Sequence, residues 1–152
     1  MMEILKAEEV VRTFEGSKGS IEVLKQLDLS VREGEVIVIL GASGAGKSTL
    51  LHILGTLDIP DGGRVLIKGR DPQECTPTEL DEMRNRDLGF VFQFHYLLPE
   101  FSANENVMMP ALVRGTSNRE AEEHATELLE RVGLSDRVTH RPNELSGGEQ
   151  QR

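Results

Sequence analysis

The sequence predicts an α/β domain in which antiparallel strands come first, a buried strand leads into a glycine-rich loop and helix, and a helical subdomain follows. Three observations carry that prediction. Apolar and polar residues alternate between residues 21 and 31, an unbroken apolar run fills 36–40, and helix-start signatures of the Ser/Thr-x-x-Glu type recur from residue 76 onward. A length of 152 residues with 38% hydrophobic and 28% charged residues fits one globular domain and argues against a disordered tail or a fibre.

The elements follow in order. Ile21, Val23, Leu27, Leu29 and Val31 alternate with polar partners as half-buried strands do, after a loop at 16–20. Residues 32–35 form a turn. Val36, Ile37, Val38, Ile39 and Leu40 then form a run rich in β-branched residues, the pattern of a strand covered on both faces in a parallel sheet. A helix is expected from about residue 47 to 57. Asp61, Gly62 and Gly63 turn the chain into an antiparallel strand at 64–68. Thr76 supplies an N-cap, Pro77 the first helical position and Glu79 the third, and the same spacing recurs at Ser102 and Glu105, Ser117 and Glu120, and Ser146 and Glu149. Ala121, Ala125, Leu128, Leu129 and Val132 form one stripe, closed by Gly133. Pro110 is expected to kink or end the helix opened at Ser102.

Composition excludes several functions. The formal charge is −9 and neither half of the chain is basic, which argues against a nucleic-acid-binding surface. A single cysteine, Cys75, rules out an internal disulfide framework and fits a reducing compartment; it reads as an ordinary loop residue. No stretch approaches the roughly 18 apolar residues of a membrane span, so direct lipid insertion is not expected, and the acidic N-terminus does not read as a signal peptide. His52, His95, His124 and His140 show no metal-ligand spacing.

Gly41, Ala42, Ser43, Gly44, Ala45, Gly46, Lys47 and Ser48 match the phosphate-loop pattern of Gly, four residues, then Gly-Lys-Ser. The glycines let successive backbone N–H groups face one anion, and the helix start adds partial positive charge. Lys47 supplies a cation for the β- and γ-phosphates of a nucleotide, and the Ser48 hydroxyl is placed to ligate Mg²⁺, a loop that by itself fits kinases, GTPases and ATPase motors alike. Downstream, Phe90, Phe92, Phe94 and Tyr96 crowd one stretch of a chain only 4% aromatic. Their spacing places them on one face of a core strand, with Gln93 opposite. Gln93 is either an amide satisfied within the core or a group reaching Mg²⁺ or water near the γ-phosphate. Ser146, Gly147, Gly148 and Glu149 form a capping box with two glycines in its first turn. That is either an ordinary loop-to-helix junction or a second anion-facing surface.

Taken together, the motifs resemble an ATP-binding-cassette (ABC) nucleotide-binding domain over the whole chain. The Walker A loop at 41–49, the Q-loop glutamine Gln93 and the signature Leu145-Ser146-Gly147-Gly148-Glu149 stand in the family's order and approximate spacing. The resemblance implies a P-loop NTPase fold with an N-terminal antiparallel β subdomain, a RecA-like core and a helical subdomain, divided at 1–93 and 94–152. It implies that Phe14, where the family more often carries tyrosine, stacks on adenine, and that Thr49 completes Walker A. It implies that Gln93 senses the γ-phosphate through Mg²⁺. Ser146, Gly147, Gly148 and Glu149 would meet the γ-phosphate of ATP held by a second copy, head to tail. Residues 89–101, together with Glu105, Asn106, Val107, Pro110 and the Arg141-Pro142-Asn143-Glu144 phrase, are similar to the lipoprotein-releasing (Lol-type) branch. Macrolide and peptide exporters and cell-division ATPases share much of that pattern. The branch implies transmembrane partner subunits docking near 94–110 and a peripheral place on the cytoplasmic face of the inner membrane.

Two further classes stand beside this one, a P-loop kinase of small molecules and a non-hydrolysing ATP-dependent interaction module. The family's hydrolases need a later apolar strand ending in Asp-Glu, and no apolar run here ends so. The resemblance therefore implies an incomplete cassette lacking Walker B and the switch regions, expected to bind ATP weakly or not at all and not to hydrolyse it. The signature helix, with barely one turn before Arg152, is not expected to hold on its own.

Overall fold

Two 14-residue strands, β1 (Glu3–Gly16) and β2 (Gly19–Arg32), open the chain as an antiparallel pair, and β3 (Gly62–Ile67) adds antiparallel to the other edge of β1. The computed structural model describes residues 2–16 and 19–152, which divide into two units, 1–88 and 89–152. The predicted loop at 16–20 is shorter than expected because Glu15 pairs with Ser20 and Gly16 with Gly19. Ser17 and Lys18 of that loop lie outside the described residues.

In the first unit the sheet order is β2-β1-β3. The β1 register shifts between Ala7 and Val10, where Glu9 takes a φ of 48°. This bulge turns both Ala7 and Val10 into the core although they stand three apart. Gly63, at φ 73°, abuts the same bulge: a Cβ there would lie 2.3 Å from the Glu8 and Glu9 carbonyl oxygens. Only glycine lets β3 begin this close to β1. Against the sheet pack α1 (Lys47–Leu54) and α2 (Pro77–Asp87), joining Val10, Leu24, Leu50, Ile53, Val65, Ile67 and Met83 in one core. Full burial of an Ile or Val such as Ile53 or Val10 contributes roughly 1.5–3 kcal/mol each. The end of α1 is held by Arg84 of α2, whose Nε and Nη2 donate to the Thr56 hydroxyl at 3.1 Å and its carbonyl at 2.7 Å. A cation beside the final carbonyls also suits the helix dipole.

One expected element does not form. Residues 36–40 pair with no strand among the described residues, and Val36, Val38 and Leu40 are 87%, 71% and 86% exposed. An apolar run is only half of a buried strand. Its N–H and C=O groups need neighbouring strands, and none of β1, β2 or β3 supplies them. The α/β class and the antiparallel N-terminal sheet stand, without the parallel strand predicted at 36–40.

The second unit contains α3 (Ala103–Val113), α4 (Asn118–Arg131) and α5 (Gly147–Gln151) around Ala103, Leu129, Leu134 and Leu145. All four predicted helix starts are present. Thr76, Ser102 and Ser146 close full capping boxes, whereas the Glu120 carboxylate turns to the Ser117 hydroxyl at 2.6 Å. Ala121, Ala125 and Leu129 are buried along α4, and the Gly133 N–H donates to the Glu130 carbonyl at 2.9 Å to close it. Pro110 does not end α3, which continues to Val113 with the Arg114 N–H reaching the Pro110 carbonyl at 3.4 Å. A proline removes one donor from a helix, and here the flanking turns carry it through. The aromatic stretch is not a core strand either. Phe94 and Tyr96 are 66% and 70% exposed, although the rings touch in series: Phe90 stacks on Phe92 at 5.1 Å, and Tyr96 meets Phe92 and Phe94 edge to face at 5.1 and 6.5 Å.

Candidate nucleotide-binding site

The phosphate loop lies in the first unit, where the sequence places it between an extended segment and a helix. Residues 41–45 are exposed, and the Ala45 N–H turns back to the Ala42 carbonyl at 3.2 Å. Gly46 caps α1 at φ 89°, and a Cβ on it would lie 2.6 Å from Val23 Cγ1 and 3.2 Å from Leu24 Cδ2. The helix start is thus laid directly on β2, in a conformation that side chains rarely adopt. No side chain caps α1 and no acidic residue stands in its first turn, so its N–H groups stay open. The Lys47 ammonium crosses the loop to donate to the carbonyls of Gly41 at 2.8 Å and Ala42 at 2.6 Å. Ser48 is exposed and Thr49 half-buried in the first helical turn. Open N–H groups, an ammonium and a hard hydroxyl oxygen, with no acidic residue in the first helical turn, make a donor set that fits a triphosphate and its Mg²⁺.

The hairpin brings Phe14 to the same neighbourhood. Arg12 pairs with Leu24, against which Gly46 rests, and Phe14 pairs with Ile21, two residues or about 7 Å farther along β1. Phe14 is 43% exposed, and the Arg12 guanidinium carbon lies 5.1 Å from its ring centroid. Arg12 is in turn bound by Asp61 at 2.8 Å and Asp58 at 3.0 Å.

Gln93 and the glycine-bearing capping box lie in the second unit. Gln93 sits exposed in a bend, so the expectation of an amide satisfied within the core lapses. Ser146 caps α5: the Glu149 N–H donates to Ser146 Oγ at 3.3 Å, while Glu149 Oε2 accepts from the Ser146 N–H at 2.8 Å and hydroxyl at 2.7 Å. The other oxygen, Oε1, accepts from Arg137 Nε at 2.9 Å. These donors, Ser146 first and Arg137 after it, lower the Glu149 carboxyl to about 2. The Gln150 amide donates to the Pro142 carbonyl at 2.7 Å and the Leu145 carbonyl at 3.1 Å. These tethers explain why α5 forms although so short a helix was not expected to hold: its stability comes from side-chain anchors rather than helix propensity. Nothing lies within 4 Å of where a Cβ on Gly147 or Gly148 would stand. Phe90, Phe92, Leu145, Glu149 and Arg152 line one open groove, so the aromatic stretch and the signature helix border the same surface.

Comparison with known proteins assigns this combination. The family model described as ABC transporter matches residues 24–152. The chain belongs to the ABC transporter family. It is 53% identical over 149 residues to the lipoprotein-releasing system ATP-binding protein LolD of Bacteroides thetaiotaomicron, covering 98% of this chain and 66% of that protein. The protein of the same name from Cytophaga hutchinsonii is 54% identical over 152 residues, covering 100% of this chain and 68% of its own. The chain thus spans about two thirds of the length of the curated relatives it matches. Among solved structures, a dimer of the ATP-binding cassette MJ0796 in a post-hydrolysis state with ADP and phosphate superposes with a TM-score of 0.88 at 38% identity, covering 97% of this chain and 66% of that one.

In this ABC chain the structure adds residues that motif reading did not single out. Arg12 was legible in principle, because it stands two positions before Phe14 on one strand. Its carboxylate partners at 58 and 61 come from the segment leading into β3, nearly fifty residues later, and leave no local signal. Arg137, twelve residues before Glu149, is likewise known only by its contact, whereas Asn106, already part of the branch pattern, gains a structural role by donating to the carbonyls of Leu98, Phe101 and Ser102. No helix among the described residues is long and apolar enough to cross a membrane.

Proposed function

We propose that this chain is the nucleotide-binding part of the ATPase subunit of a bacterial ABC transporter serving lipoprotein release. The observation that carries the nucleotide reading is the uncapped, carboxylate-free start of α1, laid on β2 through Gly46. Identities of 53% and 54% to proteins named for lipoprotein release support that branch. The backbone N–H groups of Gly41, Ala42, Ser43, Gly44, Ala45 and Gly46 and the Lys47 ammonium hold the phosphates, with Ser48 and Thr49 at the helix start. Mg²⁺, when bound, would neutralise phosphate charge, and Ser48 would hold it at the start of α1; Gln93 is assigned as a Mg²⁺ ligand from the family resemblance alone. Phe14 stacks on the base. Ser146, Gly147, Gly148 and Glu149 face the γ-phosphate of ATP on a second copy; the dimeric state of the MJ0796 cassettes supports the pairing of two copies. Transmembrane subunits dock near residues 94–110 and keep the protein at the cytoplasmic face of the inner membrane without lipid insertion of its own.

Lys47→Ala tests the site. Equilibrium titration with MgATP is expected to show weak binding by the parent chain, weakened a further 10- to 100-fold (about that of a lost charged hydrogen bond) by the substitution. Equal affinity in the two proteins would remove the phosphate-loop assignment. These residues contain no apolar run ending in Asp-Glu, so no steady-state turnover is expected. Turnover that disappears with Lys47→Ala would contradict that expectation.

A further inference from the structure

We propose that Arg12, clamped between Asp58 and Asp61, is a positioning residue that fixes the Phe14 ring as the platform for the nucleotide base. The inference rests on the nucleotide reading of the phosphate loop and Phe14 and goes one residue beyond it.

The geometry is specific. Arg12 Nη1 donates to Asp61 Oδ1 at 2.8 Å and Nη2 to Asp58 Oδ1 at 3.0 Å, so one planar group is held from two sides. The carboxylates are themselves placed. Asp61 Oδ2 accepts from the Thr13 N–H at 2.6 Å, the Asp61 N–H donates to the Val11 carbonyl at 2.9 Å, and Asp58 Oδ1 accepts from the Ile59 N–H at 2.8 Å. Residues 11–13 of β1 are therefore stitched to 58–61 through both backbone and side chain. The Phe14 ring lies against the guanidinium with 5.1 Å from centroid to Cζ, inside the range of a cation–π contact.

A clamped guanidinium does two things for the ring. It removes rotamer freedom that base stacking would otherwise have to cost, which is preorganisation. It also draws π density from the face it covers, which lowers the repulsion that a second π system meets on the opposite face. Phe14 retains substantial exposure, and it stands about two strand residues beyond the point where Gly46 rests on β2. A cation packed on the near side of an exposed ring beside a phosphate loop suits a ligand carrying both an aromatic base and a polyphosphate.

The test separates base from phosphate. ATP and inorganic tripolyphosphate are titrated into the ¹⁵N-labelled chain and the amide shifts of Gly44 and Gly46 followed, for the parent, Phe14→Ala and Arg12→Lys. Lysine keeps a charge for Asp58 and Asp61 but loses the planar fork. Both variants are expected to weaken ATP by about two- to tenfold, the size of a stacking or cation–π contribution, and to leave tripolyphosphate unchanged. A purely structural Arg12 would weaken both ligands together, or neither, and either result overturns the proposal. If Phe14→Ala changes the ATP to tripolyphosphate ratio and Arg12→Lys does not, the platform role of Arg12 fails alone. If neither variant changes it, Phe14 is not the base contact and both readings of the ring fail. Absence of any loop shift with either ligand overturns the site itself. A second measurement needs no ligand: Arg12 side-chain protons should be shifted upfield by the ring in the parent and relax in Phe14→Leu, and unshifted protons in the parent would overturn the contact.

Discussion

At the start of α1 the cap is a bare glycine, no side chain closes the turn, and the lysine beside it reaches back to the loop carbonyls. At the start of α5 the cap is a serine, a glutamate closes the box, and an arginine binds the glutamate. Both turns are rich in glycine, yet the glycines differ in kind. Gly46 is required by its own fold, because its φ of 89° and its 2.6 Å approach to Val23 leave no place for a Cβ. Gly147 and Gly148 stand in open space, so nothing within the chain demands them. A glycine that the chain does not need for packing bares backbone toward whatever lies outside. The phosphate loop is thus shaped from within, whereas the signature turn is fixed at its cap and leaves its glycines free for a visiting group.

The largest break in this comparison is a pair of alanine substitutions. Gly46→Ala is expected to cost about 2–4 kcal/mol, from left-handed backbone strain plus overpacking against Val23. Gly148→Ala is expected to stabilise by up to about 1 kcal/mol, through helix propensity alone. Urea denaturation of the two variants measures both. Similar losses at the two positions would mean that the turns are not built differently after all.

Ser146→Ala is a smaller test of the signature side. Loss of the N-cap is expected to cost about 1 kcal/mol locally, seen as a roughly fivefold fall in hydrogen-exchange protection at α5. The Gln150 N–H, which bonds to the Ser146 carbonyl at 2.9 Å, is the reporter. Unchanged protection there would mean that the Gln150 amide and Leu145, not the capping box, hold the helix.

The same contrast explains what could be read from sequence. Caps at Thr76, Ser102 and Ser146 were legible because donor and acceptor lie three residues apart, a distance that local sequence specifies completely. The Gly-Lys-Ser loop was legible for the same reason. Residues 36–40 and the stretch from Phe90 to Tyr96 do not form the strands their patterns predict, because an apolar run states only that burial is favourable. Whether it becomes a strand depends on backbone groups elsewhere in the fold. The survival of α5 was missed for the converse reason: its anchors, Arg137 and the Pro142 carbonyl, are contributed from outside the helix. Phe14 was singled out by resemblance, while its clamp of Arg12, Asp58 and Asp61 joins segments about fifty residues apart and left no pattern to find.

The finest test concerns Glu149, where the two turns differ most in charge. No acidic residue enters the first turn of α1, but Glu149 sits in the first turn of α5 with its carboxyl lowered from 4.5 to about 2 by Ser146 and then Arg137. A depressed carboxyl stabilises the fold fully above its unfolded value and loses that contribution as pH falls through the folded one. The capping contribution should therefore be complete above about pH 4.5 and decline toward pH 2. Glu79 and Glu105 are lowered in the same direction by donors from Thr76 and Ser102, without a hydrogen-bonded arginine. Arg137→Gln should accordingly raise the Glu149 midpoint while leaving it below 4.5, because the Ser146 donors, which act most strongly, remain. Carboxyl ¹³C titration of Glu149 reads this directly. A midpoint that does not move on Arg137→Gln would mean the arginine only rests beside the box, and the charge of the signature turn would then be borne by the cap alone.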